Sequence, residues 1–73
     1  MSRQTLENAT LQARRRAATN ARRLNEPFAV IDIDNGEDGR AVECRPLDYC
    51  DTDEFIAFDG RILSIHYPDG TSE

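Results

Sequence analysis

A chain of 73 residues with a net charge of −5 makes one small domain, whose folding removes only about 60% of the unfolded surface from water. Little interior is left for a substrate pocket. At 38% hydrophobic and 32% charged residues the composition is on the polar side of globular; no apolar run nears the roughly 18 residues of a membrane span, and no apolar signal region opens the chain, so the expectation is a soluble cytoplasmic protein.

The charge is split along the chain. Residues 1–24 carry six arginines (Arg3, Arg14, Arg15, Arg16, Arg22, Arg23) against Glu7 alone, a net of +5, whereas residues 25–73 carry three arginines against thirteen acids, a net of −10. Such asymmetry points the basic part at a polyanion or an acidic protein surface, while the acidic remainder repels unspecific nucleic-acid contact. There is no lysine. This fits either selection for the planar guanidinium fork or a GC-rich genome, which the many alanines and aspartates suit equally.

From Thr5 to Leu24 there is no glycine or proline, and alanine and arginine dominate, which predicts a helix. Ser2 or Thr5 is the candidate N-cap, with Glu7 in the first turn if Thr5 serves. Arg22 and Arg23, then Asn25 and Pro27, mark the end. At 100° per residue Leu6, Ala13, Ala17 and Leu24 form a thin apolar stripe, with Arg15 and Arg22 opposite and Arg16 and Arg23 at its flank. A stripe this thin anchors the helix weakly, and the free helix is expected to fray.

Beyond Pro27 the pattern turns to strands. Phe28–Asp34 is β-rich, residues 35–39 suit a hairpin loop, and Arg40–Arg45 returns, with Pro46 ending the strand or lying at a sheet edge. Residues 51–54 read as a turn or as the start of one helical turn. Phe55–Phe58, Asp59-Gly60 and Arg61–Tyr67 read as a second hairpin on an Asp-Gly turn, stopped at Pro68. The expected fold is therefore α+β: an N-terminal basic helix (1–26), a small acidic antiparallel sheet of about four strands (27–68), and a loose tail (69–73).

Chemistry-bearing clusters are sparse. Cys44 and Cys50 lack the CxxC spacing of a zinc knuckle and His66 is the sole histidine, so reduced cysteines and no metal are expected. Residues 32–39 resemble a calcium loop only in composition, lacking the spacing and the bidentate glutamate. Asp32, Asp34, Asp51 and Asp53 are the candidates for magnesium-assisted nuclease chemistry, but no nucleophile and base pair stands out, and neither a cofactor nor an enzymatic activity is expected.

The informative cluster is Gln12–Arg23, which resembles the arginine-rich helices that phage antitermination proteins lay into structured RNA. A solvated helix face lying on the chain's own acidic sheet is the plain alternative. A third reading, an adaptor that docks on an acidic surface or reaches nucleic acid held by a larger machine, uses both halves of the chain, and sheet edges can accept a partner's strand.

In length and layout, with Gln12–Arg23 as basic helix and Phe28–Asp34 and Arg61–Tyr67 as strands of an acidic body, the chain resembles the small RNA polymerase-binding transcription regulators and antiterminators of lytic Xanthomonas phages. The resemblance implies a monomer that binds bacterial RNA polymerase through the N-terminal part of β′, hinders sigma-dependent initiation, and suppresses termination near the exit channel with NusA and emerging RNA. On that reading Arg14, Arg15, Arg16, Arg22 and Arg23, supported by Arg3, make the electrostatic contact. Leu24, Phe28 and Val30 are candidates for an apolar anchor or for plain core packing. The alternatives are an arginine-rich RNA binder acting without polymerase and an acidic nucleic-acid mimic inhibiting another host enzyme.

Overall fold

The computed structural model describes residues 3–34, 36 and 39–73, with side chains from Asn8 onward. Helix α1 (Arg3–Leu24) is followed by strands β1 (Phe28–Asp34) and β2 (Arg40–Pro46), a 3-10 helix (Leu47–Asp51), helix α2 (Asp53–Ala57) and strand β3 (Arg61–His66). The strands make one antiparallel sheet in the order β2-β1-β3. The fold is α+β, as expected, with three strands.

Helix α1 ends where the sequence signals place it. Arg22 and Arg23 occupy the last turn, Asn25 adopts φ +55, and the Glu26 amide donates to the Ala21 carbonyl at 3.3 Å. That left-handed residue reverses the chain directly into β1. At the other end Thr5 lies inside the helix and is not its cap; the alternative cap, Ser2, is outside the described residues.

Strand β1 is the centre of the molecule. Phe28 to Ile31 and Ile33 are all buried, because each face is covered by a different element. Phe28 and Val30 meet Ala13, Ala17 and Ala21 of α1, with Val42 and Cys44 at the margin. Ala29, Ile31 and Ile33 meet Leu47, Tyr49, Cys50 and Phe55 of the two short helices. The buried face of α1 is thus the i, i+4, i+8 row Ala13-Ala17-Ala21. Leu24, placed on that stripe from the sequence, is instead 53% exposed.

The expected second hairpin does not form. Residues 53–57 are helical, and β3 pairs with β1 instead. Thr52 caps the short helix, its hydroxyl accepting from the Phe55 amide at 3.3 Å, and Asp53 and Glu54 favour its N-terminus. Asp59 at φ +52 then turns the chain out of the helix. Gly60 follows because a Cβ there would collide with the Phe55 ring.

The C-terminal residues, expected to be loose, fold back on β3. Ile65 and Glu73 exchange both backbone hydrogen bonds, at 3.0 and 2.9 Å, and the Tyr67 amide donates to the Thr71 carbonyl at 2.9 Å. The Tyr67 hydroxyl also donates to the Glu73 carboxylate at 3.0 Å. Asp69 ties the turn by accepting from the Thr71 amide and hydroxyl at 2.9 and 2.6 Å, which holds its carboxyl below the usual range.

Candidate functional site

The charge split along the sequence becomes a split across the sheet. Because α1 lies on one face of β1 and residues 47–57 on the other, the thin alanine row turns the rest of α1 outward. Arg14, Arg15, Arg16, Arg22 and Arg23 are all exposed, and among the described residues none makes an ion pair with a carboxylate. Arg14 lies on the β3 side, close enough to His66 to disfavour its charged form. Arg16 lies on the β2 side, where it acts on the Cys44 thiol. Arg22 reaches over the turn at Gly70. Arg3 falls among the residues whose side chains are not described.

The opposite face is acidic. Asp48, Asp51, Asp53, Glu54 and Asp59 punctuate residues 47–59 and are all exposed, with no basic residue in that stretch. The sheet's own arginines serve it structurally. Arg40 donates to Asp32 at 2.8 Å and to Asp59 at 3.0 Å, and also reaches the Asp59 carbonyl at 2.8 Å; it therefore links β2 through β1 to the start of β3, and the hydrogen bond to Asp32 leads the causes that raise its pKa. Arg45 stacks over Tyr49, 5.5 Å from the ring centre, and pairs with Glu43 at 3.4 Å.

The suggested apolar anchor is redistributed. Phe28 and Val30 are core residues beneath α1 and out of a partner's reach, whereas Leu24 is exposed. The exposed large apolar side chains of the body are Ile56 (71%), Phe58 (45%), Ile62 and Leu63, which the hairpin reading had spread over two strands. A run of apolar residues straddling an Asp-Gly turn, on a chain too small to bury them all, is the signal that would have found them.

The candidate metal ligands are kept apart. Cys44 packs beside α1 and Cys50 with the opposite cluster, and burial raises the pKa of both thiols. Among the described residues no three metal-ligating side chains gather. Asp32 is held by Arg40 and Asp34 accepts from the Gly36 amide at 2.9 Å; the rest of the calcium-like loop, at positions 35, 37 and 38, lies outside the described residues.

Sequence reading found no nucleophile and base pair, yet Ser64 Oγ lies 3.0 Å from His66 Nε2. The signal was the i, i+2 spacing, which places both on the α1 face of β3. Ser64 is buried, burial and then Arg14 lower the His66 pKa, and among the described residues no carboxylate bonds the other ring nitrogen to fix its tautomer.

Among the described residues no helix is long and apolar enough to cross a membrane. Comparison of the chain with family models, curated proteins and solved structures finds no match.

Proposed function

We propose that the protein is a non-enzymatic, charge-polarised binding regulator that engages nucleic-acid phosphate held by a larger assembly, using the outer face of α1. The observation that carries this reading is the set of five arginines on one helix without carboxylate partners among the described residues. Guanidinium groups in that arrangement bind phosphate oxygens bidentately and release condensed counterions. The acidic cap on the far face opposes attachment to free nucleic acid in any other orientation, which favours action on a strand already positioned by another protein.

The resemblance noted from the sequence makes bacterial RNA polymerase the assembly to test first, with β′ as the docking subunit and NusA as an auxiliary. In that setting the body attaches through exposed apolar residues such as Ile56 and Phe58, and the arginines hold emerging RNA and oppose the folding of a terminator hairpin. Sigma-dependent initiation would be hindered by the same attachment. The protein acts as a monomer in the cytoplasm on this reading.

The test is affinity capture from a nuclease-treated bacterial lysate at moderate salt, followed by in vitro transcription with the wild type and with a variant carrying alanine at Arg15, Arg16, Arg22 and Arg23. Retention of core polymerase, with readthrough that the variant loses, is the expected outcome. Polymerase retained with unchanged readthrough by the variant removes the helix from the mechanism. Tight binding to naked hairpin RNA without polymerase, its logarithm falling with log salt by about 0.7–0.9 per phosphate contact, selects the free RNA binder. The uninterrupted acidity of residues 47–59 favours one further reading, the nucleic-acid mimic. It would be selected if charge reversal there, and not at the arginines, abolished capture of a host enzyme.

A further inference from the structure

The two outer edges of the sheet are treated differently. The β3 edge at residues 65–67 is taken up by the chain's own C-terminal residues. Among the described residues the β2 edge is not: the Leu47 amide donates to the Pro27 carbonyl at 3.0 Å, and with the register Ala29↔Arg45, Ile31↔Glu43 and Ile33↔Ala41 the alternation of an antiparallel ladder turns the backbone groups of Arg40, Val42 and Cys44 outward. Pro46 stands at the next outward position, where a missing N–H costs the sheet nothing.

Beside this edge runs an open groove of about 500 Å³ between α1 and β2, lined on the helix side by Gln12, Arg16 and Asn20 and on the strand side by Val42 and Cys44. Gln12, Arg16 and Asn20 are spaced i, i+4, i+8, so they recur about every 6 Å along the helix. Alternate residues of a strand recur about every 6.6–6.8 Å. A strand added to β2 would therefore present its helix-facing side chains one by one to Asn20, Arg16 and Gln12. The central partner is a cation with no ion pair among the described residues, while Arg45 and Glu43 at the far rim offset each other at 3.4 Å.

We infer that the β2 edge and the α1 groove form a strand-addition site for an extended acidic peptide of a partner protein, with a carboxylate opposite Arg16 and hydrogen-bonding residues two positions to either side. Backbone pairing to Arg40, Val42 and Cys44 supplies the affinity, and the helix row supplies the selection. The site stands on the open edge; it shares Arg16 with the proposed function but does not need Arg15, Arg22 or Arg23.

The probe is an acetylated octapeptide of alternating valine and glutamate, compared with its valine and lysine counterpart, titrated into the full chain and followed by backbone amide shifts and by alkylation of the thiols. Expected are shifts at the Arg40, Val42 and Cys44 amides, protection of Cys44 but not of Cys50, and at least tenfold weaker binding of the lysine peptide. Val42→Pro, which removes an outward N–H and leaves the bonds to β1 intact, should abolish binding. Arg16→Glu on the helix surface should weaken it at least tenfold, and serves alone with the thiol readout if the proline variant fails to fold. The inference is overturned if shifts follow the arginines with none on β2, if Val42→Pro binds like the wild type, or if the edge is filled by a second copy, seen as a dimer that Val42→Pro dissociates. Alanine at Arg15 and Arg22 separates the two ideas, since it should weaken phosphate binding and leave the peptide bound.

Discussion

The two faces of β1 are buried by opposite strategies. On one, a long helix offers only methyl groups, Ala13, Ala17 and Ala21, so its backbone approaches the sheet closely and most of its circumference remains free for arginine. On the other, two short helices of five residues each supply Leu47, Tyr49, Cys50 and Phe55, including an edge-to-face Tyr49–Phe55 contact at 6.2 Å. The first face is built for display and the second for cohesion. Larger, half-buried side chains cover the second side, whereas small, buried ones cover the first.

The sharpest way to break this contrast is Ile31→Ala, which empties the cohesive side. A cost of about 2–5 kcal/mol is expected, a large share of the stability of so small a domain, and denaturant titration will read it. Ala17→Leu tests the display side. Overpacking there should cost about 1–3 kcal/mol and push α1 off the sheet, so that amide shifts change at Val42 and Cys44 while Tyr49 and Phe55 keep theirs.

The smallest effect is that of pH. Burial, and then Arg14, hold the His66 pKa below its ordinary value, so between the folded and unfolded values the unfolded chain binds the extra proton. Stability is therefore complete above about pH 6.5 and declines as pH falls below it. Thermal melts across that range will check the decline. Arg14→Ala should raise the His66 midpoint measured by NMR while leaving it below the ordinary value, because burial is the larger cause.

Much of the fold was legible locally. Helix α1 follows from twenty residues without glycine or proline, and the β1–β2 pair from two β-rich runs around a polar loop. The partner of β3 was not legible, because Asp-Gly serves a tight hairpin and a helix exit equally well. What decided between them was non-local: the Phe55 ring occupies the space a side chain at position 60 would need, and the Thr52 cap makes a single turn of helix sufficient. One clue was present in the apolar run from Phe28 to Ile31, since a strand without alternation needs cover on both sides, and only residues 47–58 remained to provide the second cover. At the site, the arginines were readable from composition. The groove was not, because it depends on which side of the sheet the helix row Gln12-Arg16-Asn20 comes to lie.

The backfolded C-terminus bears on how copies of this protein can meet. A sheet with two open edges can add subunits without limit, each new strand offering a fresh edge for the next, which is the geometry of fibres. Residues 71–73 pair with β3 only at residues 65–67, so they shield that part of the edge and leave β2 as the longer open ladder among the described residues. Residues 71–73 thus bias any pairing of copies toward β2, and replacing them with residues that cannot pair should make association through β3 easier.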